Sequence, residues 1–245
     1  MRGLVLGFAI VLYDMLNDDD NEIRDEAAAV ASRLLRAQGV ASARQSAVPM
    51  ITIQRLGRFF AKQYTDSAHL CREALRRLTA SHGVSFPPPF EQALAEARNE
   101  ATALFVQEKQ NLYKDDALDA TFWARVLRAL SPRAARPKDV KQVTQWVLDG
   151  LATLTETARL ERDGSLGWTT KAEVFILGIR VLCAADVLLA WNFEGAPEVK
   201  LALRDFGDVG AVAGVNGIWL EKVERVLQDS VVRSLQRVYS GLPAV

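Results

Sequence analysis

Residues 12–35 read LYDMLNDDDNEIRDEAAAVASRLL, and this stretch decides the fold. An apolar helix runs into an acidic turn. Glu-apolar-Arg then opens a second helix crowded with small residues. Asp18, Asp19 and Asp20 stand where the second helix needs a cap and where its dipole is positive. Ala27 and Ala28 carry so little bulk that the second helix can lie close against the first. Asp18 and Arg24 flank the inner turn, where each can pair with its counterpart in a neighbouring hairpin.

Counterparts recur downstream. Asp66 and Arg72 repeat the six-residue separation 48 residues later, followed by Glu73 and Ala74. Periods of ~40–47 residues belong to HEAT and armadillo units. The rest of the chain also reads as helix, because strand alternation is absent over any useful length. Helices are predicted at about 3–16, 21–37, 49–63 and from a cap at Asp66 or Ser67 to before Gly83. After the rigid Pro87–Pro89 break, one is expected to about Asn111 and another over 115–130. Further helices are predicted at 137–160, 169–191 and 198–206, with a glycine-spaced loop at 207–217 and a last helix at 218–239. Pro49 and Pro137 stand at favoured first-turn positions, and Gly39 is a stop.

The expected fold is therefore all-α: an α-solenoid of HEAT/armadillo-like antiparallel helix pairs. Residues 1–82 would form two HEAT-like pairs. Residues 83–245 would continue the solenoid as longer, irregular pairs that cap its C-terminal end. Helix one is apolar almost all round, through Leu4, Val5, Leu6, Phe8, Ile10, Val11 and Leu12. A terminal repeat should carry a polar outer face, so the chain is expected to be a piece of a longer array.

Composition narrows the function classes. Hydrophobic residues make up 49% of the 245 and charged residues 24%, which excludes disorder as the main state. Thirty basic residues balance thirty acidic ones, so no bulk polycation coats nucleic acid or membrane here. Charge is nevertheless segregated. Residues 33–80 hold nine basic and two acidic side chains, and residues 121–145 hold six and one. The first block includes Arg55, Arg58, Lys62, Arg72, Arg76 and Arg77. The second includes Arg125, Arg128, Arg133, Arg136, Lys138 and Lys141. On one side of a solenoid the two would track a phosphate backbone; otherwise they are solvated helix faces.

Reactive constellations are not expected. His69 and Cys71, two apart on a helix, face different directions, and only His82 and Cys183 remain to complete a zinc site. His69 is also a poor base for a Cys71 nucleophile. The run Asp18–Glu22 lacks the glycine and the late glutamate of a calcium loop. Gly207, Gly210, Gly214 and Gly217 follow no strand and precede no Gly-Lys-Ser/Thr, so they make no phosphate cradle. Trp123, Trp146, Trp191 and Trp219 fall in helical runs and read as core. No catalytic residue, metal, cofactor or small-molecule substrate is expected, so the chain is read as no enzyme. The first apolar run is too short for a bilayer and no cleavage site follows it promptly. The run over 174–191 carries Arg180 and Asp186 near its middle and reads as a buried helix. A cytoplasmic protein with no membrane partner is expected.

Two stretches carry a family resemblance. Residues 12–35 are similar to a C-terminal HEAT unit of the THADA-type proteins, large regulators of tRNA 2′-O-methylation. Residues 103–127, ALFVQEKQNLYKDDALDATFWARVL, resemble a second stretch near their C-terminal ends, through Phe105, Glu108, Lys109, Gln110, Asn111, Leu112 and Tyr113. The resemblance implies a non-catalytic scaffold. Its partner would be an FtsJ-type SAM-dependent methyltransferase that modifies a ribose in the tRNA anticodon loop, with tRNA held weakly by its backbone. It also implies that the family's central domain lies upstream. The alternative from another class is a generic HEAT-repeat adaptor for transport or trafficking, which binds protein only.

Overall fold

Local chemistry sets the helix boundaries. The computed structural model describes residues 2–40, 48–79, 109–161, 172–213 and 220–229. They form α1 (Arg2–Met15), α2 (Asn21–Ala37), α3 (Pro49–Gln63), α4 (Ala68–Thr79), α5 (Lys109–Ala129), α6 (Pro137–Glu161), α7 (Ala172–Trp191) and α8 (Ala196–Ala213). A helix at 220–229, here α9, and a 3-10 turn at Pro132–Ala134 complete them. No strand occurs among the described residues.

Asp20 caps α2 by accepting from the Glu22 N–H at 2.8 Å. Gly39, at φ 68°, ends it. The Val40 N–H then reaches back to the Leu35 carbonyl at 2.8 Å, a glycine-dependent helix stop. Of the two caps offered for α4, Ser67 is the one used: its Oγ accepts from the Leu70 N–H at 3.2 Å. Asn192 takes φ 51° just past α7, a left-handed position that asparagine tolerates.

Two boundaries differ from the sequence reading. No break separates residues 111 and 115, because α5 runs unbroken from Lys109 to Ala129. The polar stretch there contains no glycine or proline, so polarity alone does not interrupt the backbone ladder. The short helix expected at 198–206 extends to Ala213 as α8, and takes Gly207 and Gly210 out of the expected loop. A Cβ at Gly207 would stand 3.0 Å from Val223 Cγ1; the missing side chain lets α9 come close. Pro87–Pro89, Gly214, Gly217 and Trp219 lie outside the described residues.

Side-chain matches give the topology. Asp119 meets Arg180, Arg128 meets Asp186, and the Leu127 carbonyl meets Trp191. α5 and α7 therefore run in the same direction. Thr144 lies against Gly195 and Arg159 against Asp205, so α6 and α8 also run parallel to each other. α3 joins the first layer beside α5, with Gly57 against Phe122 and the Thr65 carbonyl against the Ser131 N–H. Alternating helices stacked in two layers make this an all-α, ARM-like solenoid.

The core is continuous through the stack. Tyr13 stacks on Phe122 with centroids 4.2 Å apart, and Phe60 on Trp123 at 6.3 Å. Trp123, Trp146 and Trp191 are buried, as their place in helical runs indicates. α7 is enclosed on all sides over residues 178–189. The two charges within that span are paired: Arg180 with Asp119, and Asp186 with Arg128.

One polar cluster crosses these layers. Asp119 accepts from Tyr13 Oη at 2.6 Å, Trp123 Nε1 at 2.9 Å and Arg180 at 3.3 Å. Arg180 also donates to the Arg77 carbonyl at 2.7 Å and to the Leu78 carbonyl at 3.3 Å, near the negative end of α4. Replacing Asp119 with Ala removes the acceptor of Tyr13 and Trp123 and takes a carboxylate away from the buried Arg180 guanidinium. The expected loss is about 3 kcal/mol, measured by urea unfolding, with Asp119→Asn losing less. Equal, small losses for both would show that the cluster is not cooperative.

Candidate interaction surface

An open groove of about 1100 Å³ lies where three segments meet. The α1–α2 turn forms one wall, with Leu16, Asn17, Asp18, Asp19 and the nearby Arg24. The first three turns of α3 form the second, from Pro49 to Arg58. α5 forms the third through Leu118, Phe122, Arg125 and Val126. Gly57 fixes how closely α3 and α5 approach, since its Cβ would stand 3.1 Å from the Phe122 ring. Apolar side chains crowd the mouth: Met50 is 49% exposed, Leu118 43% and Val48 41%. The sequence carries one signal for this, an uninterrupted apolar run from Val48 to Ile51 at the start of a helix.

The twelve basic candidates separate into two groups. Arg55 is buried on α3. Arg76 and Arg77 both grip Glu73, at 2.7 and 2.6 Å. Arg77 also binds Asp14 and lies over the Trp123 ring at 5.1 Å. Arg128 holds Asp186 at 3.0 Å and Asp229 at 3.5 Å. Arg136 holds Asp139 at 2.7 Å. These five are engaged within the fold. Arg58, Lys62, Arg72, Arg125, Arg133, Lys138 and Lys141 are exposed and have no ion pair among the described residues. Arg58 and Arg125, from different blocks, share the groove. The Ser131 N–H donates to the Thr65 carbonyl at 2.8 Å. That bond sets the turn after α3 against the turn before α6, so Lys62 and Arg133 come to one edge.

Among the described residues no ion pair links Asp18 or Arg24 to Asp66 or Arg72. Arg24 turns onto its own hairpin, donating to the carbonyls of Asp18 at 2.6 Å and Asp19 at 3.0 Å. The Asp18 carboxylate accepts from the Asp20 N–H at 3.0 Å. Asp66 and Arg72 are exposed on the surface. Phe105 and Glu108 lie outside the described residues, while Lys109–Tyr113 open α5.

Burial pushes the Cys71 thiol up to about 12 and raises that of Cys183, so neither offers a thiolate at neutral pH. Burial, then Asp119, raises Tyr13 above its ordinary value and keeps it a neutral donor. His69 is exposed on α4. Among the described residues no group of His, Cys, Asp or Glu could hold a metal ion. None of the described helices is long and apolar enough to cross a membrane.

Residues 58–231 match the family described as the Trm72 ARM-like repeat region. The chain belongs to this family. It supplies a C-terminal part of the Trm732/THADA type; the match takes in the second sequence stretch, residues 103–127, and not the first, residues 12–35. The Trm72 ARM-like match begins within α3, so it takes in the whole α5 wall of the groove and leaves the α1–α2 wall outside. No curated protein and no solved structure matches the chain.

Glu73 gives a pH test of this charged layer. The hydrogen bond from Arg76 is the main cause that holds its carboxyl at about 2, below its ordinary 4.5; burial opposes this and Arg77 adds to it. The folded form then binds fewer protons than the unfolded one. Its contribution is complete above about pH 4.5 and disappears as pH falls towards 2. Thermal melts across that window should decline more steeply for the native chain than for Glu73→Gln. Parallel slopes would show that the Arg76–Glu73–Arg77 trio adds nothing to stability.

Proposed function

We propose that the chain is a non-catalytic regulatory scaffold in tRNA methylation. It works beside an FtsJ-type SAM-dependent methyltransferase that modifies a ribose 2′-hydroxyl in the anticodon loop. The observation that carries this reading is family membership over residues 58–231. An extended stack with buried, protonated thiols suits a part that positions two partners and leaves the chemistry to one of them. Such a role is a cytoplasmic one.

The tRNA contact falls to the edge where the turns meet. Lys62 and Arg133 are exposed beside these turns, and Lys138 and Lys141 are exposed on the first turns of α6, none with an ion pair among the described residues. The N-termini of α4 and α6 open beside them, and each adds a partial positive charge. Spaced cations of this kind neutralise phosphates without reading bases, so they give weak, sequence-tolerant, salt-sensitive binding. Arg76, Arg77, Arg128 and Arg136 are already neutralised within the fold and make a smaller contribution.

The test is tRNA binding across a salt series. Replacing Lys62, Arg133 and Lys138 with Glu should weaken binding to different tRNAs by similar factors. It should also flatten the dependence of log affinity on log salt by roughly 0.7–0.9 for each phosphate that is no longer neutralised. An unchanged slope would remove the edge from the reading. No salt-dependent binding by the native chain would leave the generic HEAT-repeat adaptor as the better account.

A further inference from the structure

The groove and the edge differ in chemistry, and the difference identifies what each takes. The edge presents exposed cations. The groove presents an apolar mouth between walls of opposite net charge: Arg58 and Arg125 on the α3 and α5 side, where Asp119 is paired with Arg180, and Asp18 and Asp19 against the single Arg24 on the α1–α2 side. A nucleic-acid backbone entering here would pass the two aspartates and gain nothing from Met50 or Leu118. An amphipathic helix satisfies all three elements at once. An α-helix with side chains is ~10–12 Å across, so two turns fill roughly 1000 Å³, close to the groove's 1100 Å³.

Resting on the function proposed above, we infer that this groove seats an amphipathic surface helix of the methyltransferase partner. Its apolar stripe lies on Met50 and Leu118. An acidic edge faces Arg58 and Arg125, and a basic or neutral edge faces Asp18 and Asp19. Helix-in-groove recognition of this kind takes its affinity from apolar anchors at i, i+3 and i+4 and its orientation from flanking charge. Arg24 is held by the carbonyls of Asp18 and Asp19, which keeps the turn in place; its charge offsets one of the two carboxylates, so the wall stays net acidic.

The experiment is calorimetric titration of the full chain with the purified FtsJ-type methyltransferase, run alongside tRNA binding. Met50→Glu and Leu118→Glu change side chains that are 49% and 43% exposed, so folding should be retained; circular-dichroism melts check this. Each should weaken methyltransferase binding by about tenfold or more, the effect of placing a carboxylate in an apolar interface. Reversing Arg58 and Arg125 to Glu should weaken it further and reduce its salt sensitivity. Leu201→Glu, on α8 at 70% exposure, should leave binding as it is. Full-strength enzyme binding by the Met50 and Leu118 variants would overturn the groove assignment while the scaffold role stands. Loss of tRNA binding with enzyme binding intact would overturn it in favour of RNA. No enzyme binding by the native chain would overturn both readings.

Discussion

The arrangement depends on the carboxylate of Asp119. Hydrophobic packing is strong but has little direction, and a stack of greasy helices could slide. Asp119 is contacted by Tyr13 from α1, Trp123 from its own helix and Arg180 from α7. Arg180 extends the link to the end of α4. Each of these bonds is costly to leave half made in a buried setting, so the four helices share one register. The end of α1 is thereby held against α5, which sets the α1–α2 wall of the groove against the α5 wall.

Charge in this protein does two kinds of work. Arg77, Arg128 and Arg180 join segments that are far apart in sequence, and each is partly or wholly enclosed. Arg58, Lys62, Arg125 and Arg133 project outward. A net charge of zero is compatible with both because acidic partners consume the first group and leave the second exposed. The resulting surface divides into a cationic edge and a groove of mixed character, which is consistent with a scaffold that meets two unlike partners.

Much of the helical framework is legible in the sequence because its signals are local. Asp20, Gly39, Pro49 and Pro137 act within one turn of the boundaries they set. The break expected near residue 113 treats polarity as punctuation, although no residue there is a glycine or proline. Gly207 escapes a local reading for a different reason: its role is contact with Val223, sixteen positions away and invisible to a local pattern. The same limit applies to the site. The basic blocks can be read from composition, but their division cannot, since Arg77 finds Asp14 63 positions away and Arg128 finds Asp186 58 positions away. The groove draws its walls from three segments and has no linear signature beyond the apolar start of α3.

The enclosure of Cys71 and Cys183 has a practical side. Both are fully covered and hold their protons, so maleimides and spin labels will find no native attachment point on the folded chain. A single cysteine introduced on any outward turn would then be the sole reactive handle, which makes the native sequence a ready background for distance measurements across the stack.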